Sequence, residues 1–208
     1  YIGQFETILS VNKTRDFWDG CFAPIFCFCG DGLFKRSISM KKTKNITHAA
    51  IIGAMYFALT HLQNLIFPDS ANLAIQFRAS EALCIFALFT PAAIPGLSVG
   101  CFLFNLSFAA ALPLDAPIGS LATFLATGGM YLTRRWTIKG YPLPALLLPA
   151  LFNAFLVGWE LSVYIGGGFW INAVCVAIGE IAVLLSLGTI LFYAIKLRHL
   201  DVRLFENR

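Results

Sequence analysis

From residue 46 onward the chain alternates long apolar runs with short clusters of Pro, Gly, Asp and Asn. The clusters read "FPDSAN", "TPAAIPG", "LPLDAP", "KGYPLP" and "GGG", and each is a turn signal. The runs between them predict six helices: roughly Ile46–Phe67, Leu73–Phe89, Ala92–Leu112, Ala116–Thr133, Leu143–Ile165 and Phe169–Leu197. Each is near the ~20 residues that cross ~30 Å of hydrocarbon at ~1.5 Å per residue. The second is the shortest and most polar, so it is the one not expected to cross simply.

Composition turns apolar helices into membrane spans. The 208 residues are 58% hydrophobic and 12% charged, with a mean hydropathy of +0.75. A soluble domain of this length needs more polar surface. The run Pro142–Trp170, "PLPALLLPALFNAFLVGWELSVYIGGGFW", holds one charged residue, Glu160. The formal charge of +4 does not form a basic face for nucleic acid. It gathers instead at span ends: Lys41, Lys42 and Lys44; Arg134, Arg135 and Lys139; Lys196, Arg198 and Arg203. With six spans all three clusters fall on one side, and the positive-inside rule makes that side the cytoplasm. The expected fold is therefore all-α: a six-transmembrane-helix bundle in a bacterial cell membrane, with cytoplasmic N and C termini. Residues 1–39 differ in character, mixing charges, turns and short aromatic patches. Met40, three lysines and a long apolar run look like a natural start, so residues 1–39 read as a leader or extension and residues 40–208 as the membrane domain.

The chemistry lies in charges that a lipid-facing helix would not keep. Apart from Lys196, only Arg78, Glu81, Glu160 and Glu180 are charged within the spans. An ionised side chain at mid-bilayer costs at least about 2.5–3.5 kcal/mol, so it turns towards a bundle interior or cavity. Arg78 and Glu81, in "QFRASEAL", are three apart and share a helix face. They either neutralise each other or, with Gln76, form a polar patch. Asn153, Glu160 and Tyr164 recur along one face of the fifth helix, with Trp159 beside Glu160. The sixth adds Glu180, Trp170 and Asn172, and the third adds Asn105. Glutamates with asparagines and tryptophans resemble a ligand site. On the first helix Ala50, Ala54 and Ala58 recur every four residues, parallel to Ala49 and Gly53. Such small-residue stripes let another helix approach, from the same bundle or from a partner. The chain has no phosphate-binding loop, no H-E-x-x-H and no G-x-S-x-G. Cys21, Cys27 and Cys29 lack ligand-spaced histidines or further cysteines, so neither metal nor cofactor is expected.

The order "AIQFRASEAL", "IPGLSVGCFLFNL", "DAPIGSLATFLA" resembles the QueT family, from about Met40 to about Arg198. These are substrate-binding S components of energy-coupling-factor (ECF) transporters. The resemblance implies a non-enzymatic subunit that binds a queuosine precursor or related 7-deazaguanine from outside. It would work with a coupling subunit and two cytoplasmic ATPases. It also implies that Ala50, Ala54 and Ala58 dock on the coupling subunit. A deazaguanine offers paired N–H donors beside a carbonyl, a flat ring and, when aminomethylated, a cation. Arg78, Glu81, Asn105, Asn153, Trp159, Glu160 and Glu180 are the residues expected to bind it. Glu160 and Glu180 contact the ligand on this reading, while Arg78 orients Glu81 or gates the outer loop. The competing readings are a stand-alone carrier, an intramembrane enzyme, and an S component for another vitamin.

Overall fold

The structure, a computed structural model, describes residues 34–67, 77–108, 114–138 and 140–199, with side chains from residue 43 onward. Gln76, Asp69, Lys139, Arg203 and most of the leader expected over 1–39 lie outside the described residues. The chain divides into two compact units, Tyr1–Ile46 and Thr47–Arg208, and the site described below lies wholly in the second. Every regular element among the described residues is helical. They are α1 (Phe34–Ile66), a 3-10 helix (Ala79–Leu88), α2 (Ala93–Ser107), α3 (Asp115–Thr133), α4 (Leu143–Leu146), α5 (Leu148–Tyr164), α6 (Phe169–Val183), a π turn (Leu184–Gly188) and α7 (Thr189–Leu197).

Three of the expected spans stand as helices long and apolar enough to cross a membrane: Thr43–Ile66, Leu143–Tyr164 and Phe169–Leu197. The second and third are shorter than expected, and the fifth and sixth stand but are irregular. The second is a 3-10 helix of ten residues, not an α-helix. At ~2.0 Å per residue it rises only ~20 Å. The third ends at Ser107. The fifth is broken at Leu147, between α4 and α5, each of which carries a proline in its first turn. Proline supplies no backbone N–H and clashes with the preceding turn, so it begins helices and interrupts them. The sixth is continuous but widens into the π turn at Leu184–Gly188. That turn packs against the 3-10 helix. A Cβ on Gly188 would lie 3.6 Å from the Ile85 side chain, so the irregular turns of two spans meet each other.

Close backbone approaches hold the bundle. A Cβ on Gly53 would sit 2.6 Å from the Gly96 carbonyl oxygen, and one on Gly96 would sit 2.5 Å from that of Ala49. One on Gly100 would sit 2.6 Å from the carbonyl oxygen of Gly53. The Ala49/Gly53 stripe of α1 is thus occupied by α2. Ala50, Ala54 and Ala58, one step round the helix, are exposed. α2 packs on α3, α3 on α5, and α5 on α6. Between α5 and α6 a Cβ on Gly158 would meet the Ala173 backbone at 2.8 Å. The connection between them is Gly166-Gly167-Gly168, with φ of 84°, 82° and 85°, a left-handed path that side chains rarely follow. Asn172 holds that turn, its Nδ2 donating to the Gly166 carbonyl at 2.8 Å.

The outer faces are apolar, and a polar cluster lies buried inside an otherwise apolar core. Ile171, Val174, Ile178, Leu185 and Ile190 point outward from α6 to α7. Arg78, Glu81, Asn105, Asp115, Asn153, Glu160 and Glu180 are buried. Apolar outer faces with the charged residues buried suit hydrocarbon as the surrounding solvent.

Candidate functional site

The buried polar residues form one cluster fed by six elements. The 3-10 helix begins just after Arg78 and carries Glu81 and Cys84. In such a helix residues three apart eclipse, so Glu81 and Cys84 stack on one edge. Glu81 accepts hydrogen bonds from both sides: Tyr56 Oη–H of α1 donates to Oε1 at 2.5 Å, and Cys84 Sγ–H donates to Oε2 at 3.2 Å. α1 also pins the start of this helix. Thr60 Oγ1 donates to Ser80 Oγ at 2.7 Å, and the Ala79 N–H donates to Gln63 Oε1 at 2.7 Å. Gln63 Nε2 donates to the Phe77 carbonyl. A polar edge, Tyr56–Thr60–Gln63, therefore fixes Arg78 and Glu81 in place.

α2 and α3 bring Asn105 and Asp115. Asn105 Nδ2 donates to the Asp115 backbone carbonyl at 2.9 Å and lies 3.5 Å from Cys101 Sγ. A Cβ on Gly119 would stand 2.8 Å from that Nδ2. The first and fifth positions of D-x-x-x-G-S-L-A-T thus have a physical role: Asp115 supplies the acceptor and Gly119 the room for the Asn105 amide. From α5, Asn153 and Glu160 are two turns apart on the inward face, and Glu180 enters from α6. Asn153 Nδ2 donates to Glu180 Oε1 at 2.8 Å.

Arg78 is the shared electrostatic neighbour. Its guanidinium acts on Tyr56, Glu81 and Asp115, and it is also felt by Glu160 and Glu180. Glu160 is near enough to Asp115, and Glu180 to Glu81, for the members of each pair to act on each other electrostatically. One cation therefore sits among four buried carboxyl groups. Four oxygens in this cluster have no hydrogen-bond donor from the protein: Glu160 Oε1 and Oε2, Glu180 Oε2, and Asn105 Oδ1. All four are acceptors, and each buried unpaired polar group costs roughly 1–3 kcal/mol. Asn64, farther along α1, also has both amide atoms unpartnered.

Six of the seven expected ligand residues meet here: Arg78, Glu81, Asn105, Asn153, Glu160 and Glu180. Trp159 does not. It is 50% exposed on the outer face of α5, because each helical residue turns about 100° and Glu160 takes the inward position. Trp170 is also exposed, Tyr164 is exposed at the end of α5, and Asn172 is spent on the glycine turn. The aromatic ring within the cluster is Tyr56, fully buried. Among the described residues no group of His, Cys, Asp and Glu could hold a metal ion.

The family model described as QueT transporter matches residues 46–197, which include every residue of the cluster. The chain belongs to the QueT transporter family. No curated protein and no solved structure matches it. Family membership and the apolar helices together make the chain a membrane protein and a transporter component. The buried cluster of this QueT transporter includes three residues that the sequence reading did not place there: Asp115, Tyr56 and Cys84. Asp115 reads as an ordinary loop acid at a span end, and Cys84 as a small buried hydrophobe. Tyr56 was detectable only through its spacing with Thr60 and Gln63 along an otherwise apolar helix.

Proposed function

We propose that this chain is the substrate-binding S component of an ECF-type importer, and that its cargo is a queuosine precursor of the 7-deazaguanine class. The observation that carries this reading is the set of four unpartnered buried acceptors on Glu160, Glu180 and Asn105. A guanine-like edge is rich in N–H donors, and carboxylates are acceptor-only when ionised. Glu160 and Glu180 contact the ligand, with Asn105 and Asn153 beside them. Arg78 and Glu81, held by α1, form the rigid wall of the site.

In this reading the chain crosses the membrane six times with both termini in the cytoplasm. Its exposed Ala50–Ala54–Ala58 face on α1 docks against a coupling subunit that is energised by two cytoplasmic ATPases. The small side chains permit a close helix–helix approach. The neighbouring stripe, Ala49 and Gly53, is already filled by α2, so the alanine face is the one left for a partner.

Calorimetric titration of the purified chain with 7-deazaguanine precursors, guanine and riboflavin tests the reading. Saturable binding confined to the deazaguanines is expected. Glu160→Ala and Glu180→Ala should each weaken it at least about tenfold, the scale for losing a charged buried hydrogen bond. Binding of riboflavin alone would reassign the cargo. Unchanged affinity in the double alanine variant would remove both glutamates from the site. Ligand import in vesicles without any ATPase would favour a stand-alone carrier.

A further inference from the structure

The last span carries its irregularity at a defined place. Between α6 and α7 the Thr189 N–H reaches back five residues to the Leu184 carbonyl, so the turn Leu184–Gly188 holds about one residue more than an α turn. The burial pattern shows what that residue does. Glu180, Leu184, Gly188 and Phe192 are all buried, at a constant spacing of four. At about 100° per residue, a regular α-helix would leave Phe192 about 120° out of phase with Glu180. The wide turn takes up most of that drift and keeps both residues on the inward face. Ser186 supplies a local cause. Its hydroxyl donates to the Ala182 carbonyl at 2.5 Å, and a hydroxyl bonded one turn back bends a helix.

The two halves joined by this turn are held by different neighbours. α6 is fixed to α5, through Asn153 Nδ2 on Glu180 and the close crossing of Gly158 over Ala173. α7 is held by Tyr141, whose hydroxyl shares a hydrogen bond with Thr189 Oγ1 and whose ring meets Phe192 edge-on at 5.8 Å. Phe192 also stacks at 5.9 Å on Phe89, the residue that ends the 3-10 helix. The π turn lies between the two sets of contacts, packed along that 3-10 helix. A Cβ added to Gly188 would stand 3.6 Å from the Ile85 side chain, an ordinary contact, whereas one on Gly96 would stand 2.5 Å from the Ala49 carbonyl oxygen. The two irregular turns therefore touch without interlocking.

We propose that the π turn is a conformational joint of this transporter component: α7, with the 3-10 helix packed on it, shifts against α6 as the extra residue passes along the span. The proposal does not depend on the identity of the cargo. Moving a wide turn along a helix exchanges one backbone hydrogen bond for the next, and sliding of packed helices is an ordinary route of conformational change. Glu180 lies one turn before the joint and Glu81 lies on the 3-10 helix. A shift at the joint is thus felt by two walls of the buried cluster.

The test is hydrogen–deuterium exchange of the full chain in detergent, read by mass spectrometry. Amides of Leu184–Gly188 and of Ala79–Leu88 should exchange together, and at least about tenfold faster than those of residues 153–161 in α5, as a shared local opening requires. Leu187 is exposed. Deleting it leaves eleven residues between Glu180 and Phe192, which at about 100° each bring the two within about 20° in an unbroken α-helix. The deletion should fold, with an unfolding midpoint at or above that of the parent, and should slow exchange in both segments at least about tenfold. Parental π-turn amides as protected as those of α5 would make the turn a static phase correction and overturn the proposal. So would a deletion that slows exchange in the π turn and leaves the 3-10 helix unchanged. A deletion that unfolds the chain overturns it as well, because the extra residue is then not one the span can spare.

Discussion

Tyr56 shows how a single residue ties scaffold to site. Its hydroxyl is the only donor from α1 seen on Glu81 among the described residues, and the ring is completely buried. Tyr56→Phe keeps the ring and removes the donor. Glu81 Oε1 is then left short of a partner in a place without water, which costs about 1–3 kcal/mol. The expected outcome is a lower thermal unfolding midpoint in detergent, and an unchanged midpoint would mean that Glu81 finds its partner elsewhere. The same residue marks the limit of reading the site from sequence. Glu160, Glu180 and Arg78 are conspicuous because a charge in an apolar run has to be explained. Tyrosine and cysteine in an apolar run do not, because both are also ordinary core residues. Asp115 is hidden for the opposite reason: an acid in a loop cluster reads as solvated. Only the packing of α2 on α3 reveals that it is covered.

At the level of elements, the two small-residue stripes of α1 look equivalent in the sequence and are not. Ala49 and Gly53 meet the Gly96 and Gly100 backbones, whereas Ala50, Ala54 and Ala58 are open. Gly96→Ala would place a methyl 2.5 Å from the Ala49 carbonyl, against backbone that cannot yield as a side chain does. Overpacking of this kind costs about 1–3 kcal/mol or more and should separate α1 from α2. Gly128, on α3, has nothing within 4 Å of an added Cβ. Gly128→Ala should be neutral or stabilise by about 0.5–1 kcal/mol through helix propensity. Unfolding midpoints of the two variants, measured side by side, check this contrast, and equal midpoints would contradict the close crossing. The 3-10 helix is the element least legible beforehand. "ASEALCIFAL" is made of good α-helix formers. Its tighter winding accompanies tertiary contacts, Gln63 and Thr60 pinning its first turn and the π turn packed along it. Local propensity carries no trace of those contacts.

For the whole molecule, charge placement makes a sharp claim about sidedness. α3 ends at Thr133, followed by Arg134 and Arg135, with Arg134 seated 3.8 Å over the Tyr131 ring. α7 ends at Leu197, with Lys196 in its last turn and Arg198 next. Between these basic ends lie Leu143–Tyr164 and Phe169–Leu197, each long and apolar enough to cross once. On the proposed topology these two crossings return the chain to the side it left, with both basic ends in one compartment and the glycine turn in the other. By the positive-inside rule that topology would put the basic side in the cytoplasm. Trp136 and Ile165 are exposed at the two ends of this hairpin, 68% and 61% respectively, and suit single-cysteine substitution. Cys84 and Cys101 are buried and give little background to a bulky reagent. With a membrane-impermeant maleimide on intact cells, Ile165→Cys should label at once and Trp136→Cys only after permeabilisation, each read against the parental chain. The reverse pattern would invert the molecule in the membrane and place the basic clusters outside. Labelling of both from outside would mean that the hairpin does not cross, and the buried Glu160–Asp115–Arg78 cluster would then need an explanation other than a transport site within the bilayer.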